Sequence, residues 1–347
     1  MEQRIIDQIS IMIASYRTPD LLKRCLDSLR AACGGVFPET IVVDDAAGDL
    51  ETARMMEPYQ RCGVQFKVMP QNGGFAGANN FGYPFCTKPY IVLVNSDIVL
   101  HGEPFTAMVT FMETHPKAEI IQGTVVIRNG QEGVDGTLNG TGSYLTPCGV
   151  MLSPGWLKPV DHPLARRAAP VFAAYGAFFM LRNGLDRRVG GYLFHSVFHT
   201  YYEEVDLCHR TWLSGGEVWY VPTPVIDHAH GSTVSRYLDR EETLRKYYRN
   251  IRFSFSTCFG LRGRLLVRPL FELLCLGQIL WKLMRGDGSA WREHLWAYRA
   301  LHDLRGEIRE VRGAVQAMRT VSDTALFKRV MRRHTLRQFL ETVKVNG

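Results

Sequence analysis

Carboxylates, amides and glycines cluster in this sequence where apolar runs stop. The stretch YIVLVNSDIVL carries a fully apolar run, Ile91 to Val94, that ends on Asn95-Ser96-Asp97. Asn, Ser and Asp are turn formers, and strands must end somewhere. The triplet also has a chemical reading. In open α/β sheets ligands sit at the carboxyl ends of strands, and Asp97 suits a hard divalent cation that bridges phosphate oxygens. Ser15-Tyr16-Arg17 and Asp44-Asp45 follow two other apolar runs, and Asn72-Gly73-Gly74-Phe75-Ala76-Gly77 opens a helical pattern. Asp44 or Asp45 can accept hydrogen bonds from a base or ribose, and glycines let the backbone approach a ligand closely. Turn chemistry accounts for each group alone. On one rim of a parallel sheet they would gather amides, a glycine turn and three carboxylates in one crevice.

A second constellation is Tyr201-Tyr202-Glu203-Glu204-Val205-Asp206, with Cys208-His209-Arg210 after it. Acids favour helix N-termini, and a carboxylate in a crevice can also take a proton. Downstream, VIDHAHGS sets His228 and His230 two apart, just past a strand. A lone histidine is usually structural, whereas a pair near acids is a candidate metal-ligand set.

The elements that must position these groups alternate. Apolar runs over 9–14, 39–45, 64–68 and 90–94 read as strands, separated by helical patterns over 18–29, 49–61 and 75–85. Such repetition predicts a mostly parallel sheet with right-handed crossovers. Residues 128–170, rich in Gly, Thr and Pro, read as loops and short strands over the acceptor side. From about residue 261 the pattern is helical. Its most hydrophobic part, 265–284, is interrupted by Arg268, Pro269, Glu272 and Lys282, so it is too short in apolar residues to span a bilayer. It can lie on a membrane surface, with Trp281, Trp291 and Trp296 near basic residues, or pack back on the core.

Composition narrows the class. The 347 residues are 46% hydrophobic and 22% charged, an ordinary globular balance. Eight cysteines lack any C-x-x-C spacing, which argues against a zinc site and for reduced thiols in the cytoplasm. No basic segment precedes an apolar one at the N-terminus, so no signal peptide is expected. Charge is uneven: residues 1–250 hold 23 Lys and Arg against 26 Asp and Glu, and residues 251–347 hold 18 against 8. That excess suggests an anionic surface. Nucleic acid is the less expected partner, because the excess lies in helices with Trp and Leu and in no recognised reader module. The Gly73-Gly74 segment does not follow the first strand and is not G-x-G-x-x-G, which disfavours a dinucleotide oxidoreductase.

Taken in order, eight segments resemble family 2 glycosyltransferases of the GT-A fold, most of all the bacterial rhamnosyltransferase-like branch. They are IMIASYRTPDLLKRCLDSL, IVVDDAAGD, QNGGFAGANNFG, VLVNSDIVL, YGAFFMLRNGLDRRVGGY, YYEEVDLCHRTWLSGGEVWYVP, VIDHAHGSTVS and RKYYRNIRFSF, together spanning roughly residues 8–255. The resemblance implies a Rossmann-like, mostly parallel sheet flanked by helices. It implies a transferase domain over 1–255 and a basic, amphipathic helical region over 256–347. The implied reaction is inverting transfer of a sugar from a nucleotide sugar to a hydroxyl acceptor, with Mg or Mn holding the diphosphate. dTDP-rhamnose is the first implied donor and a UDP-sugar the second. The implied acceptor is a growing polysaccharide or lipid-linked glycan at the inner face of the cytoplasmic membrane.

By the same resemblance Ser15, Tyr16 and Asp44 contact the nucleoside, with Arg17 and Asp45 beside them. Asn72, Gly74 and Phe75 form the turn next to ribose and phosphate. Asp97 matches the last acid of the metal-binding D-x-D, with Asn95 and Ser96 before it, and His228 completes the metal shell. Glu204 stands at the catalytic base, and Arg210 and Trp212 lie in the helix that supports it. Two positions depart from the family pattern: Asn95 replaces the first Asp of D-x-D, and Glu204 replaces the usual Asp. The longer side chain can re-aim the base, so Glu203 and Asp206 are candidates for the role as well. Like-charge repulsion from Glu203 and Asp206 is expected to raise the pKa of Glu204, and helical geometry to send Glu203 and Glu204 in different directions. The departures keep open a catalytically inactive binding protein of this fold. A nucleotidyltransferase is the other alternative, although Ser15-Tyr16-Arg17-Thr18 has no glycine for its phosphate loop.

Overall fold

The computed structural model describes residues 3–46, 48–229 and 240–333. Fifteen short strands are found in that range. Eight form one sheet: β1 (Ile9–Ser15), β2 (Glu39–Asp44), β3 (Gln65–Val68), β4 (Tyr90–Asn95), β6 (Ala118–Gln122), β12 (Ala169–Pro170), β13 (Phe178–Arg182) and β14 (Glu217–Tyr220), in the order β12-β14-β6-β13-β4-β1-β2-β3. Five more make a second sheet, β5 (Ile98–Leu100), β7 (Val125–Ile127), β8 (Thr137–Asn139), β11 (Trp156–Pro159) and β15 (Ile226–His228), ordered β11-β8-β7-β15-β5. A hairpin of β9 (Tyr144–Leu145) and β10 (Met151–Leu152) completes the set.

The expected parallel sheet is present at its centre. β1 pairs in parallel with β2 and β4, and β2 with β3. β13 runs antiparallel between β4 and β6. Buried on both faces, the central strands are almost continuously apolar, as a covered parallel sheet requires. The register sets Ser15 opposite Asp44 and Ala14 opposite Asn95, so the polar strand ends share one rim.

Helices cover the sheet where periodicity places them. In Pro19–Ala32 the residues Leu21, Leu22, Cys25, Leu26 and Leu29 are buried. Leu50–Gln60 is capped by Asp49, whose carboxylate accepts from the Thr52 amide at 3.3 Å and its hydroxyl at 2.6 Å. The predicted helix over 75–85 divides: an α-helix spans Gly74–Gly82, and a 3-10 turn follows at Tyr83–Phe85, where Pro84 withholds a donor. Residues 128–170 hold short strands and turns, as their composition predicts.

Past residue 240 the chain is helical: Arg240–Cys258, Leu261–Met284, Ser289–Asp303, Arg305–Ala317 and Asp323–Val330. The boundary expected after residue 255 falls inside the first of these helices. One apolar cluster joins Leu93 and Phe179 of the sheet and Trp212 of the helix Glu203–Leu213 to Phe253, Phe259, Phe271, Val315 and Leu326 of the C-terminal helices. The helix Leu261–Met284 packs one stripe on this core, Val267, Phe271 and Cys275, and exposes the other. Among the described residues no helix is long and apolar enough to cross a membrane.

Candidate active site

A cavity of about 520 Å³ opens at the carboxyl ends of β1 and β4. Of the residues singled out in the sequence, Ser15, Tyr16, Asp45, Asn72, Gly74, Phe75, Asn95, Ser96, Asp97, Glu203, Glu204 and His228 line it. Arg17, Asp44 and Asp206 do not. A second cavity of about 520 Å³, around Tyr90, Glu119 and Arg182, lies at the opposite end of β4 and holds none of these groups.

Asp45 builds one corner. Its carboxylate accepts from the Asn72 side-chain amide at 3.0 Å and from the Gly73 backbone amide at 2.7 Å. Burial pushes its pKa up to about 6 against the pull of the Gly73 and Gly74 backbone amides. Gly74, with φ of +66°, follows directly, and a Cβ there would sit 2.4 Å from the His199 carbonyl oxygen. Only glycine fits that conformation and that spacing. Asp44 has a different task from the one expected: its carboxylate accepts from the backbone amides of Ala46, Gly48 and Asp49 at 2.9, 3.1 and 3.1 Å. It holds the loop after β2 and is turned from the cavity. Arg17 is exposed, its guanidinium 5.5 Å from the centre of the Tyr16 ring.

The second sheet explains the pairing of Asp97 with His228. β5 and β15 run antiparallel with His228 opposite Ile98, which brings the imidazole beside the residue before Ile98. His228 Nε2 lies 3.4 Å from Asp97 Oδ1, and both side chains are more than nine-tenths buried. A carboxylate oxygen and an imidazole nitrogen suit Mn or Mg when phosphate oxygens and water supply the remaining positions. Among the described residues no group of three His, Cys, Asp or Glu could hold a metal ion alone. His230 lies outside the described residues.

Glu203 and Glu204 begin the helix Glu203–Leu213. Both face the cavity, contrary to the expectation that only one would. Glu204 is half-buried, and burial, rather than repulsion between acids, pushes its pKa up to about 7. Glu203 is buried, and burial followed by the charge of Glu204 raises its carboxyl well above the usual range. Its Oε2 has no hydrogen-bond partner among the described residues, nor do the buried Ser15 Oγ and Asn139 Oδ1, which line the same cavity.

Asp206, one turn on, is paired internally. Arg210 Nε donates to its carboxylate at 2.7 Å, and both side chains are fully buried. The same guanidinium donates to the carbonyls of Val189, Tyr192 and Leu193. Trp212 Nε1 donates to the Val171 and Phe172 carbonyls at 3.0 and 3.2 Å. Asp206, Arg210 and Trp212 therefore fix the helix, and the base candidates are left to Glu203 and Glu204.

Sequence reasoning did not select the segment before that helix. His199, Tyr201 and Tyr202 have φ of 56°, 72° and 74°, and His199, Thr200 and Tyr201 line the cavity. His199 Nε2 lies 3.0 Å from Asn72 Oδ1, linking this segment to the Asp45 corner. Asn250, fully buried on the helix Arg240–Cys258, sets its amide nitrogen 3.0, 3.1 and 2.6 Å from the carbonyl oxygens of Phe198, Thr200 and Tyr201. The Asn in RKYYRNIRFSF was a signal of this, since a polar residue inside an apolar helical stripe needs a buried partner. Asn139, Tyr175 and Gly176 also line the cavity and were not selected.

Comparison with known proteins gives a family and a fold. The family model described as "Glycosyl transferase family 2" matches residues 10–187, ending before Glu203. The solved structure of GalNAc-T7 with UDP, GalNAc and Mn2+ is similar at TM-score 0.55 and 11% identity, over 74% of this chain and 49% of that one. The chain thus spans about half the length of that neighbour. The structures of S. aureus TarS 1-349 with UDP and with UDP-GlcNAc give TM-scores of 0.45 and 0.47 at 15% and 16% identity. They cover 72% of this chain in both cases, and 66% and 67% of theirs. No curated protein matches the chain in sequence.

Proposed function

This chain belongs to glycosyl transferase family 2, and from that membership we propose that it moves a sugar from a nucleoside-diphosphate sugar to a glycan hydroxyl, inverting the anomeric carbon. The favoured donor is dTDP-rhamnose, with a UDP-sugar next. The acceptor is a polysaccharide or lipid-linked glycan met at the inner face of the cytoplasmic membrane. One observation carries the reading: a single cavity gathers Glu204, the Asp97–His228 pair and the Asp45–Asn72 corner.

A sugar hydroxyl is a poor nucleophile. In this reading Glu204 takes its proton while the hydroxyl oxygen bonds to the anomeric carbon and the bond from that carbon to the diphosphate breaks. A carboxyl with a pKa near 7 is a stronger base than an ordinary glutamate and is still substantially ionised at neutral pH. Single displacement needs one base and a stabilised leaving group, so two opposed carboxylates are not required. Ser15, Tyr16 and Asp45 hold the nucleoside, and Asn72, Gly74 and Phe75 lie beside the ribose and phosphates. The N-terminal end of the helix Gly74–Gly82 faces the cavity, where its dipole favours the departing negative charge. Mg or Mn, when bound, would be held by Asp97 and His228 and would supply positive charge against the diphosphate.

The test is a panel of nucleotide sugars with Mn and with Mg, reading donor hydrolysis and thermal shift. A stabilising donor that is hydrolysed supports the reading, and a panel without binding or turnover overturns it. A second reading, a binding protein without turnover, is favoured by Asn95 in the first D-x-D position and by the two-residue metal pair. Donor binding with no hydrolysis or transfer would select it.

A further inference from the structure

The helix Leu261–Met284 is apolar on two faces. Its inner stripe, Gly263, Val267, Phe271, Cys275 and Ile279, is buried at four-residue spacing. On the remaining surface ten Leu, Trp and Met side chains are 44 to 80% exposed. Helices hydrophobic all round belong in a core or against lipid. Monomeric soluble proteins rarely leave so large an apolar surface to water.

Charge around this face identifies what covers it. Arg262, Arg264 and Arg285 are exposed, and Arg268 and Lys282 are half-exposed. Glu272 is the only acid on the helix, and it is taken up internally: Arg252 lies 2.7 Å from its carboxylate and the Tyr298 hydroxyl donates at 2.6 Å. Lys282 is paired at 3.5 Å with the exposed Asp287 just past the helix end, so the surface offered outward is apolar with a rim in which Arg262, Arg264 and Arg285 supply the outward charge. A second copy of the chain would bring the same arginines face to face. An anionic bilayer meets both properties at once, with headgroups for the arginines and acyl chains for the leucines. Trp281, 49% exposed with the Arg285 guanidinium 4.0 Å from its ring centre, and Trp291, 52% exposed, suit the interfacial layer.

From this we infer that the exposed face of the helix Leu261–Met284 is a docking surface for an anionic phospholipid bilayer, lying in the plane of the interface. Docking shares the membrane with the proposed acceptor but none of its chemistry, since it needs neither donor nor turnover.

The experiment is co-sedimentation of the full chain with vesicles of phosphatidylcholine alone and of an equal mixture with phosphatidylglycerol. Binding is expected to the mixed vesicles, falling steeply with added salt because the attraction is screened within a Debye length. Leu273→Glu, Leu276→Glu and Leu280→Glu together change positions 49 to 63% exposed, so circular dichroism and melting should be preserved. Vesicle affinity should fall about ten-fold or more. Arg264→Gln, a milder change at an exposed site, should cost about five-fold in affinity for mixed vesicles. Three results overturn the inference: no binding to mixed vesicles, equal binding to both vesicle types, or a folded triple variant that binds like the wild type. A wild-type dimer that the triple variant converts to monomer, with no vesicle binding, would assign the face to a second copy instead.

Discussion

Replacing Glu204 by Gln tests both the chemistry and the physics of the proposed base. Glutamine keeps the size of the side chain and removes its ionisation. Burial raises the Glu204 pKa from 4.5 to about 7 in the folded chain. The sign follows from that direction. Below pH 4.5 both folded and unfolded states hold the proton, and this group contributes no difference. Between 4.5 and about 7 the unfolded state loses its proton first, so stability falls as pH rises and stays lower above 7. The rise corresponds to about 3 kcal/mol at mildly alkaline pH. Urea unfolding of wild type and variant at acidic and mildly alkaline pH should therefore show the variant gaining on the wild type by about 3 kcal/mol as pH rises. Turnover should fall about 10²–10⁴-fold, with donor affinity kept. In the wild type, kcat/KM should rise with pH through about 7, as the base loses its proton. A stability gap independent of pH would show that burial of this carboxyl is not what tunes it. Normal turnover in the variant, with Glu203→Gln dead, would give the role to the neighbour.

Three further outcomes follow from the geometry. Asp97→Ala should abolish the Mn-dependent part of donor affinity, measured by Mn titration in thermal-shift assays, and unchanged metal affinity and turnover would exclude Asp97 as a ligand. Asp206→Ala leaves the Arg210 guanidinium buried without its counter-charge, so a stability loss of about 3–5 kcal/mol is expected in urea unfolding. Where that variant is still folded, its pH–rate profile should match the wild type. Asn250→Ala removes the two N–H donors that serve three carbonyls, at about 2–4 kcal/mol, and kcat should fall more than donor affinity, because the loosened segment carries the helix start that bears Glu204.

Elements with strong periodicity were legible in the sequence. The strands β1, β2 and β4 and the helix Pro19–Ala32 follow from apolar runs and helical spacing, and the common rim follows from parallel pairing. The rim residues Asp45, Asn72, Asn95 and Asp97 could be named because turn chemistry and ligand chemistry use the same types. Side-chain direction was less legible. Asp44 and Asp45 are adjacent, yet one closes a loop and the other faces the cavity. Asp206 falls three residues after Glu203 and two after Glu204, where the buried Arg210, four residues further on, claims it. No local pattern announces the left-handed backbone at His199, Tyr201 and Tyr202, since none of these is glycine.

That left-handed segment also bears on where the catalytic unit ends. A non-glycine residue with φ near +60 to +75° costs about 1–2 kcal/mol, and three of them within four residues persist only where surrounding contacts over-determine them. The contacts come from the helix Arg240–Cys258. The Asn250 amide nitrogen shares its two N–H donors among the carbonyls of Phe198, Thr200 and Tyr201, and the Arg249 guanidinium donates to the Val197 carbonyl next to them. The same segment touches the donor corner through His199 and Asn72 and runs directly into Glu203 and Glu204. The proposed donor site, the proposed base and this clamp are thus joined by direct contacts, although Asn250 stands 46 residues after Glu204 and outside the matched family region. Phe253 and Phe255 of this helix enter the same apolar cluster as Val267 and Phe271 of the next. The helix proposed to dock on the membrane therefore rests on the element that clamps the segment before Glu204, and docking would orient the cavity relative to the bilayer through that packing.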